Sequence, residues 1–208
     1  MVEKDAVRRG YDGLAEAYAA DRSEDGQGVA ILDGFLGDLP ASSRVLDAGC
    51  GQGTPVLRDR TASATGVGVD LSRTQLELAT DSVPDVALAQ GDMTALPFHD
   101  GVFDAVIAYH SLIHVPRGQH QRVLDEFARV LTGGGGLLLS EGQTGWSGAN
   151  PDWLDTGIAM QWHIAGAEAT REQLRNAGFV VERAWNVSDS FDDGGDERWA
   201  FFSAQLPE

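Results

Sequence analysis

A doubly wound, mostly parallel α/β sheet is the fold class this chain predicts, and three observations predict it. Short apolar runs recur between residues 44 and 140 with segments of helical period between them. That alternation forces right-handed crossovers and parallel strands. The first run opens "VLDAGCGQGTP", Val45 to Pro55, where three glycines stand at alternate positions directly after an aspartate. The chain closes on two runs rich in β-branched and aromatic residues, "FVVERAWNV" and "RWAFFSAQL", which read as strands.

Taken in order, helical patterns at about 3 to 20 and 27 to 38 precede the first apolar run at 44 to 48. Further strand-like runs lie at 66 to 69, 85 to 89, 103 to 108 and 136 to 140, and helical segments at about 54 to 60, 72 to 81 and 118 to 131. Beyond Glu141 the pattern changes. A Gly- and Trp-rich stretch, 142 to 166, lacks either period and reads as a long loop, a length expected of a lid or binding loop. A last helix at about 167 to 177 follows, and "DDGGDE" between the closing runs reads as a hairpin loop. Its acids lack calcium-loop spacing, so a solvated acidic loop is the simpler reading.

Composition bounds the function classes. With 208 residues, 42% hydrophobic, the chain can bury one sizeable core, which predicts a single domain over 1 to 208. No stretch approaches the roughly 18 apolar residues of a membrane span and no signal pattern appears, so a cytoplasmic location is expected. Cys50 is the only cysteine, which excludes an intrachain disulfide and a cysteine-cluster metal site. Fifteen basic residues against 32 acidic ones leave −17, and Lys4 is the only lysine. Such a surface repels nucleic acid and anionic membranes. A halophilic adaptation, in which the acidic surface stays hydrated at concentrated salt, and a genome bias favouring Arg over Lys explain the composition equally well.

In an open parallel sheet the ligand sits beyond the carboxyl ends of the strands, and the first strand-to-helix turn approaches it most closely. Glycines there leave room for a ligand against the backbone, and a helix opening near Thr54 would aim free N–H groups at an anionic group. A lone G-x-G would mean only a tight turn, but three further features fall at fitting distances. Asp70 in "GVGVDLS" ends the second strand, 17 residues beyond Gly53. Its carboxylate suits two ribose hydroxyls, and it equally suits capping of the helix starting near Ser72. In "QGDMTALPF", Asp92 can accept from an exocyclic amino group and Met93 can lie against an adenine face. In "FDAVIAYHSLIHVP" the fourth strand ends near Tyr109 and delivers His110, Ser111 and His114 to the same rim. Together these describe a nucleoside ligand with an amino group.

On these motifs the chain resembles the class I S-adenosylmethionine-dependent methyltransferases of the small, stand-alone kind, in order and spacing over roughly residues 40 to 142. The resemblance implies S-adenosyl-L-methionine as cofactor and a Rossmann-like seven-stranded sheet with the last strand antiparallel. It implies that Asp47 orients the glycine loop, that Gly49, Cys50, Gly51 and Gly53 form the turn beside the methionine part, and that Asp70 and Leu71 hold the ribose. Asp92 and Met93 would hold adenine, with Tyr109 on the rim. Thr54-Pro55 after the third glycine and "GGGG" at 133 to 136, which lacks the family's common proline, depart from the pattern. Two other readings stay open. A module that binds the nucleoside without chemistry uses the same residues. A nicotinamide oxidoreductase would need G-x-G-x-x-G, whose last position, counted from Gly49, is Thr54 here.

The sulfonium methyl is already activated, so transfer needs mainly alignment, plus a base if the nucleophile must lose a proton. His110, His114 and His163 are the base or substrate-contact candidates, and each is equally explained by packing. "HSLIH" lacks the Glu of a zinc H-E-x-x-H pair, so no metal is expected. Tyr11 and Tyr18 share one helical face and Tyr18 is the better cofactor contact, so 1 to 40 is expected to form a helical lid. The 142 to 166 segment, with Trp146, Trp153, Met160 and Trp162, would be a substrate-side insertion meeting that helix over a small-molecule acceptor; the tryptophans equally suit a secondary core. Acceptor atom and oligomeric state are not written in the sequence.

Overall fold

Successive residues of the central strands bury to opposite faces, and this places helices on both sides of the sheet. In β1 (Arg44–Ala48), Val45 joins one apolar cluster with Ala105, Ile107, Leu138 and Phe201, under Leu32. Its neighbour Leu46 joins another, with Val106, Leu137, Leu139 and Phe202, beneath Val123, Leu124, Phe127 and Leu174. A strand buried on both faces reads as a continuous apolar run, as these do. The computed structural model describes residues 4–21, 25–58, 64–188 and 198–208.

Helices α1 (Lys4–Asp21) and α2 (Gln27–Gly37) lead into β1, followed by β2 (Thr65–Asp70), α3 (Arg73–Ser82), β3 (Ala87–Gln90) and β4 (Phe103–Ala108). Then come α4 (His120–Val130), β5 (Leu131–Gly142), a hairpin of β6 (Trp146–Asn150) and β7 (Met160–Ile164), α5 (Ala167–Asn176), β8 (Val180–Ser188) and β9 (Arg198–Gln205). The seven-stranded sheet runs β3-β2-β1-β4-β5-β9-β8. Pairs from β3 to β5 are parallel, and β9, the last strand, is antiparallel to both its neighbours. Strand order reverses at β1, between β2 and β4, so the crevice of a doubly wound sheet opens over the glycine turn.

Two expectations are corrected. Of the helix expected over 54 to 60, residues 54 to 58 form turns in which the N–H groups of Leu57 and Arg58 both donate to Gly53 O, and 59 and 60 lie outside the described residues. The second is the 142 to 166 segment, which is no structureless loop. It pairs as a two-stranded antiparallel sheet, Trp146 opposite Ile164 through Asn150 opposite Met160. The expected "DDGGDE" turn lies outside the described residues. Among those described, no helix is long and apolar enough to cross a membrane.

The hairpin packs on α1. Tyr11, Tyr18, Leu14 and Val7 of the helix share an apolar cluster with Trp153, Ile158, Met160 and Trp162. Two helix-interior glycines, each disfavoured by about 1 kcal/mol relative to Ala, have a reason in this contact. A Cβ at Gly10 would stand 2.9 Å from Met160 Cε, and one at Gly13 would stand 2.8 Å from Ile158 Cδ1.

Candidate functional site

The glycine turn closes over the end of β1 because it can bend where side chains cannot. Gly49, Gly51 and Gly53 have φ of 84°, 52° and 93°, in the region that favours glycine. The N–H groups of Gly49 and Cys50 both donate to Val69 O, tying the turn to the end of β2. A Cβ on Gly49 would stand 2.3 Å from Ser111 Cβ, so the turn and the exit of β4 meet with no space for a side chain. Ser111 secures that approach by donating its hydroxyl to Ala48 O at 2.6 Å.

A pocket opens beside this turn. Its floor and walls carry Gly49, Gly51, Cys50, Leu71, Met93 and Tyr109 of the sequence-read set. Asp70 and Asp92 both line it, as do Tyr18, His110 and His114. Asp70 accepts the N–H of Gly51 at 2.9 Å on one oxygen and that of Ser72 at 2.8 Å on the other. Burial pushes its pKa up, and those two hydrogen bonds oppose the rise. Burial, with the nearby charges of Asp47 and Asp70, raises the Cys50 thiol well above its ordinary value, which leaves it an inert packing residue.

Three residues named in the sequence reading lie elsewhere. Asp47 is buried at the end of β1, beneath the turn rather than on the pocket wall. Gly53 turns its Cα toward Val83, where a Cβ would approach to 3.0 Å, so it serves helix packing. His163 stands on β7 with Nδ1 3.3 Å from the Ser147 hydroxyl of β6, away from the pocket.

The remaining histidines differ. His110 adopts φ 53°, with its N–H on Ser140 Oγ at 2.7 Å and its ring 4.3 Å from Trp199. His114 faces Tyr11: Nε2 and the Tyr11 hydroxyl are 2.7 Å apart, while Nδ1 lies 3.3 Å from Gln161 O. A carbonyl can only accept, so Nδ1 carries the proton and Nε2 accepts from Tyr11. Among the described residues no cluster of three or more potential ligands could hold a metal ion.

The pocket also contains residues the sequence reading did not single out. Gln75, 1% exposed on α3, lines it, and neither of its side-chain amide atoms has a hydrogen-bond partner among the described residues. Buried amides are normally paired, so this one calls for a polar ligand group. Its local setting is the N-cap of α3: Ser72 Oγ accepts the Gln75 N–H at 3.2 Å, which fixes Gln75 in the first turn of α3. Lys4 was noticed only for being the sole lysine; it reaches Asp92 Oδ2 at 2.6 Å and Thr94 Oγ1 at 2.7 Å.

A nucleoside cofactor with an amino group fits this wall. Gly51 borders the pocket without a side chain, where a Cβ would meet only Gln75 Oε1 at 3.6 Å, Asp70 and Asp92 supply acceptors, and Gln75 supplies an unsatisfied amide.

Residues 45–135 match a family described as methyltransferase domain. The chain is 40% identical over 157 residues to the 27-O-demethylrifamycin SV methyltransferase of Amycolatopsis mediterranei, covering 71% of this chain and 51% of that protein. It is 30% identical over 198 residues to an Encephalitozoon cuniculi protein with a provisional methyltransferase name, covering 86% and 89%. The chain spans about half or less of the length of the first curated relatives it matches. Among solved structures, the cyclase SpnF superposes with a TM-score of 0.76 at 23% identity, over 98% of this chain and 97% of that one, a likeness of fold.

Proposed function

Because this chain belongs to the class I S-adenosylmethionine-dependent methyltransferase family, we propose that it transfers the methyl group of S-adenosylmethionine to a small-molecule acceptor. One observation carries the reading: a single pocket at the strand-order switch holds both carboxylates, Asp70 and Asp92, together with the Tyr11–His114 pair. When bound, the cofactor supplies a methyl carbon already activated by positive sulfur.

The protein's share is positioning and proton handling. Asp70 would accept the ribose hydroxyls and Asp92 the adenine amino group, with Met93 against the base, while Gln75 offers its amide to a polar group nearby. Gly49, Cys50 and Gly51 would border the methionine part. His114, its Nδ1 proton held by the Gln161 carbonyl, can take a proton at Nε2, where the Tyr11 hydroxyl is its partner, and both side chains line the pocket. Removing a proton from a hydroxyl acceptor is therefore within reach of this pair. His110 also lines the pocket, but its ring is wedged among Tyr109, Trp199 and Phe201. His114 is the better base.

A small acceptor is supported on two counts. The net charge of −17 opposes polyanions. The helix α1 and the β6–β7 hairpin meet beside the pocket in an aromatic cluster, which narrows the approach and suits apolar or planar compounds. The name of the Amycolatopsis relative also fits a small-molecule acceptor.

Titration calorimetry with S-adenosylhomocysteine tests the cofactor half. Wild type should bind at micromolar levels, and Asp70→Ala should lose about 1.5 to 3 kcal/mol, since a charged acceptor is removed from two hydroxyls. Mass spectrometry of a panel of hydroxyl-bearing small molecules tests the other half. Methylation of bulk tRNA and of no small molecule would overturn the acceptor class; cofactor binding without any transfer would favour a binding module.

A further inference from the structure

Helix α1 is tied to the residues around the pocket through three of its side chains, Asp12, Tyr11 and Lys4. Near its middle, Asp12 Oδ1 accepts from the Ser72 hydroxyl at 2.7 Å and the Thr74 N–H at 3.4 Å, at the start of α3, and Arg8 holds the other Asp12 oxygen at 2.8 Å. One residue earlier, Tyr11 meets His114. At its first described residue, Lys4 meets Asp92 and Thr94.

The Lys4 contact falls on the residue that would read the base. Asp92 Oδ1 is filled by the N–H and the hydroxyl of Thr94, both at 2.8 Å, so the direction of Oδ2 is set by Lys4. Both side chains line the pocket and are partly shielded from water, at 28% and 33% exposure. Burial pushes the Asp92 carboxyl up, but hydrogen bonds from Lys4 and Thr94 outweigh it and hold the group below its ordinary value. An ionised Asp92 keeps a lone pair for an amino donor while Lys4 occupies another. Lys4 is the chain's sole lysine, and its contact with Asp92 needs a cation at that place rather than a bidentate fork.

We propose that Lys4 is a positioning residue of the cofactor site, whose ammonium aims the Asp92 carboxylate at the adenine amino group and shuts α1 over the bound cofactor. Release of the cofactor then requires the Lys4–Asp92 pair to open. The proposal rests on the functional reading above, in which S-adenosylmethionine and its product occupy this pocket.

Stopped-flow tryptophan fluorescence with S-adenosylhomocysteine tests it, using the full chain as wild type, Lys4→Met and Lys4→Arg. Lys4→Met should release the ligand about fivefold faster, the scale of one partly shielded charged hydrogen bond. Lys4→Arg should restore most of the wild-type rate. Raising KCl from about 0.1 M to 1 M should speed wild-type release and leave Lys4→Met unchanged, because only the former has the pair to screen. Hydrogen exchange should show α1 protected by the ligand in wild type and less so in Lys4→Met. Equal release rates for wild type and Lys4→Met overturn the proposal, as does an equal loss in the Met and Arg variants, which would assign the effect to packing. A wild type that does not bind S-adenosylhomocysteine overturns the functional reading instead.

Discussion

His120 and Glu141, both fully buried, stand with Nδ1 and Oε2 3.8 Å apart at the start of α4 and the end of β5. His120 donates Nε2–H to Val115 O at 2.9 Å, and Glu141 accepts the Gly142 N–H at 2.9 Å where β5 turns toward the hairpin. Burial pulls the histidine down to about 4 and pushes the carboxyl up to about 7. The two act in opposite directions on stability. A raised carboxyl keeps its proton in the fold while the unfolded chain loses it, so its contribution falls as pH climbs from about 4.5 to about 7. A depressed histidine costs stability as pH drops from about 6.5 to about 4. Glu141→Gln mimics the protonated acid and removes only the first effect. At pH 8 it should therefore be more stable than wild type by about 1 to 3 kcal/mol, and near pH 4.5 about equal; thermal melts across that range decide it. At this scale the residues legible in advance were those with a motif around them, Asp70, Asp92, Gly49 and Gly51, which all line the pocket. His120 and Gln75 were not, because what distinguishes them is burial with incomplete pairing, which only the packed structure creates.

Most elements follow from local pattern. In α4 the buried residues Val123, Leu124, Phe127 and Val130 recur at helical spacing, and the expected 118 to 131 shrinks only to His120–Val130. The β6–β7 hairpin was illegible for a physical reason. "WSGAN" is poor in strand formers, no two-residue turn joins it to "MQWHI", and the pairing is stabilised by α1 from the other end of the chain. The glycines of α1 make sense only with that partner. Trp153 is the keystone between them, with ring centroids 5.6 Å from Tyr18, 6.1 Å from Tyr11 and 5.2 Å from Trp162. Trp153→Ala should lower the local opening free energy of α1 and the hairpin by about 2 kcal/mol, or roughly 30-fold faster amide exchange there. Exchange in β1, β4 and β5 should stay as in wild type. Uniform acceleration across the sheet would show instead that α1 and the hairpin unfold only with the core.

The whole molecule carries −17, and that field acts differently on the fold and on its site. Carboxylates spread over the surface repel one another in the compact state more than in the expanded chain, so screening should stabilise the fold. Raising KCl from about 0.1 M to 1 M shortens the screening length from about 10 Å to about 3 Å, and the melting temperature should rise by several degrees. The apolar core, buried on both faces of the sheet, carries no charge to screen. The Lys4–Asp92 pair is attractive, and the same salt weakens it. One titration should therefore give opposite slopes: a rising melting temperature for the ligand-free protein, and faster loss of S-adenosylhomocysteine from the complex. Lys4→Met should keep the first slope and lose the second, since neutralising one cation leaves the surface field even more negative. A melting temperature that is flat or falls with salt would mean that the acids sit among enough arginines for attraction to balance repulsion, as in the Arg129 bridges to Glu126 and Asp100. The acidity would then concern solubility and partner choice rather than the stability of the fold.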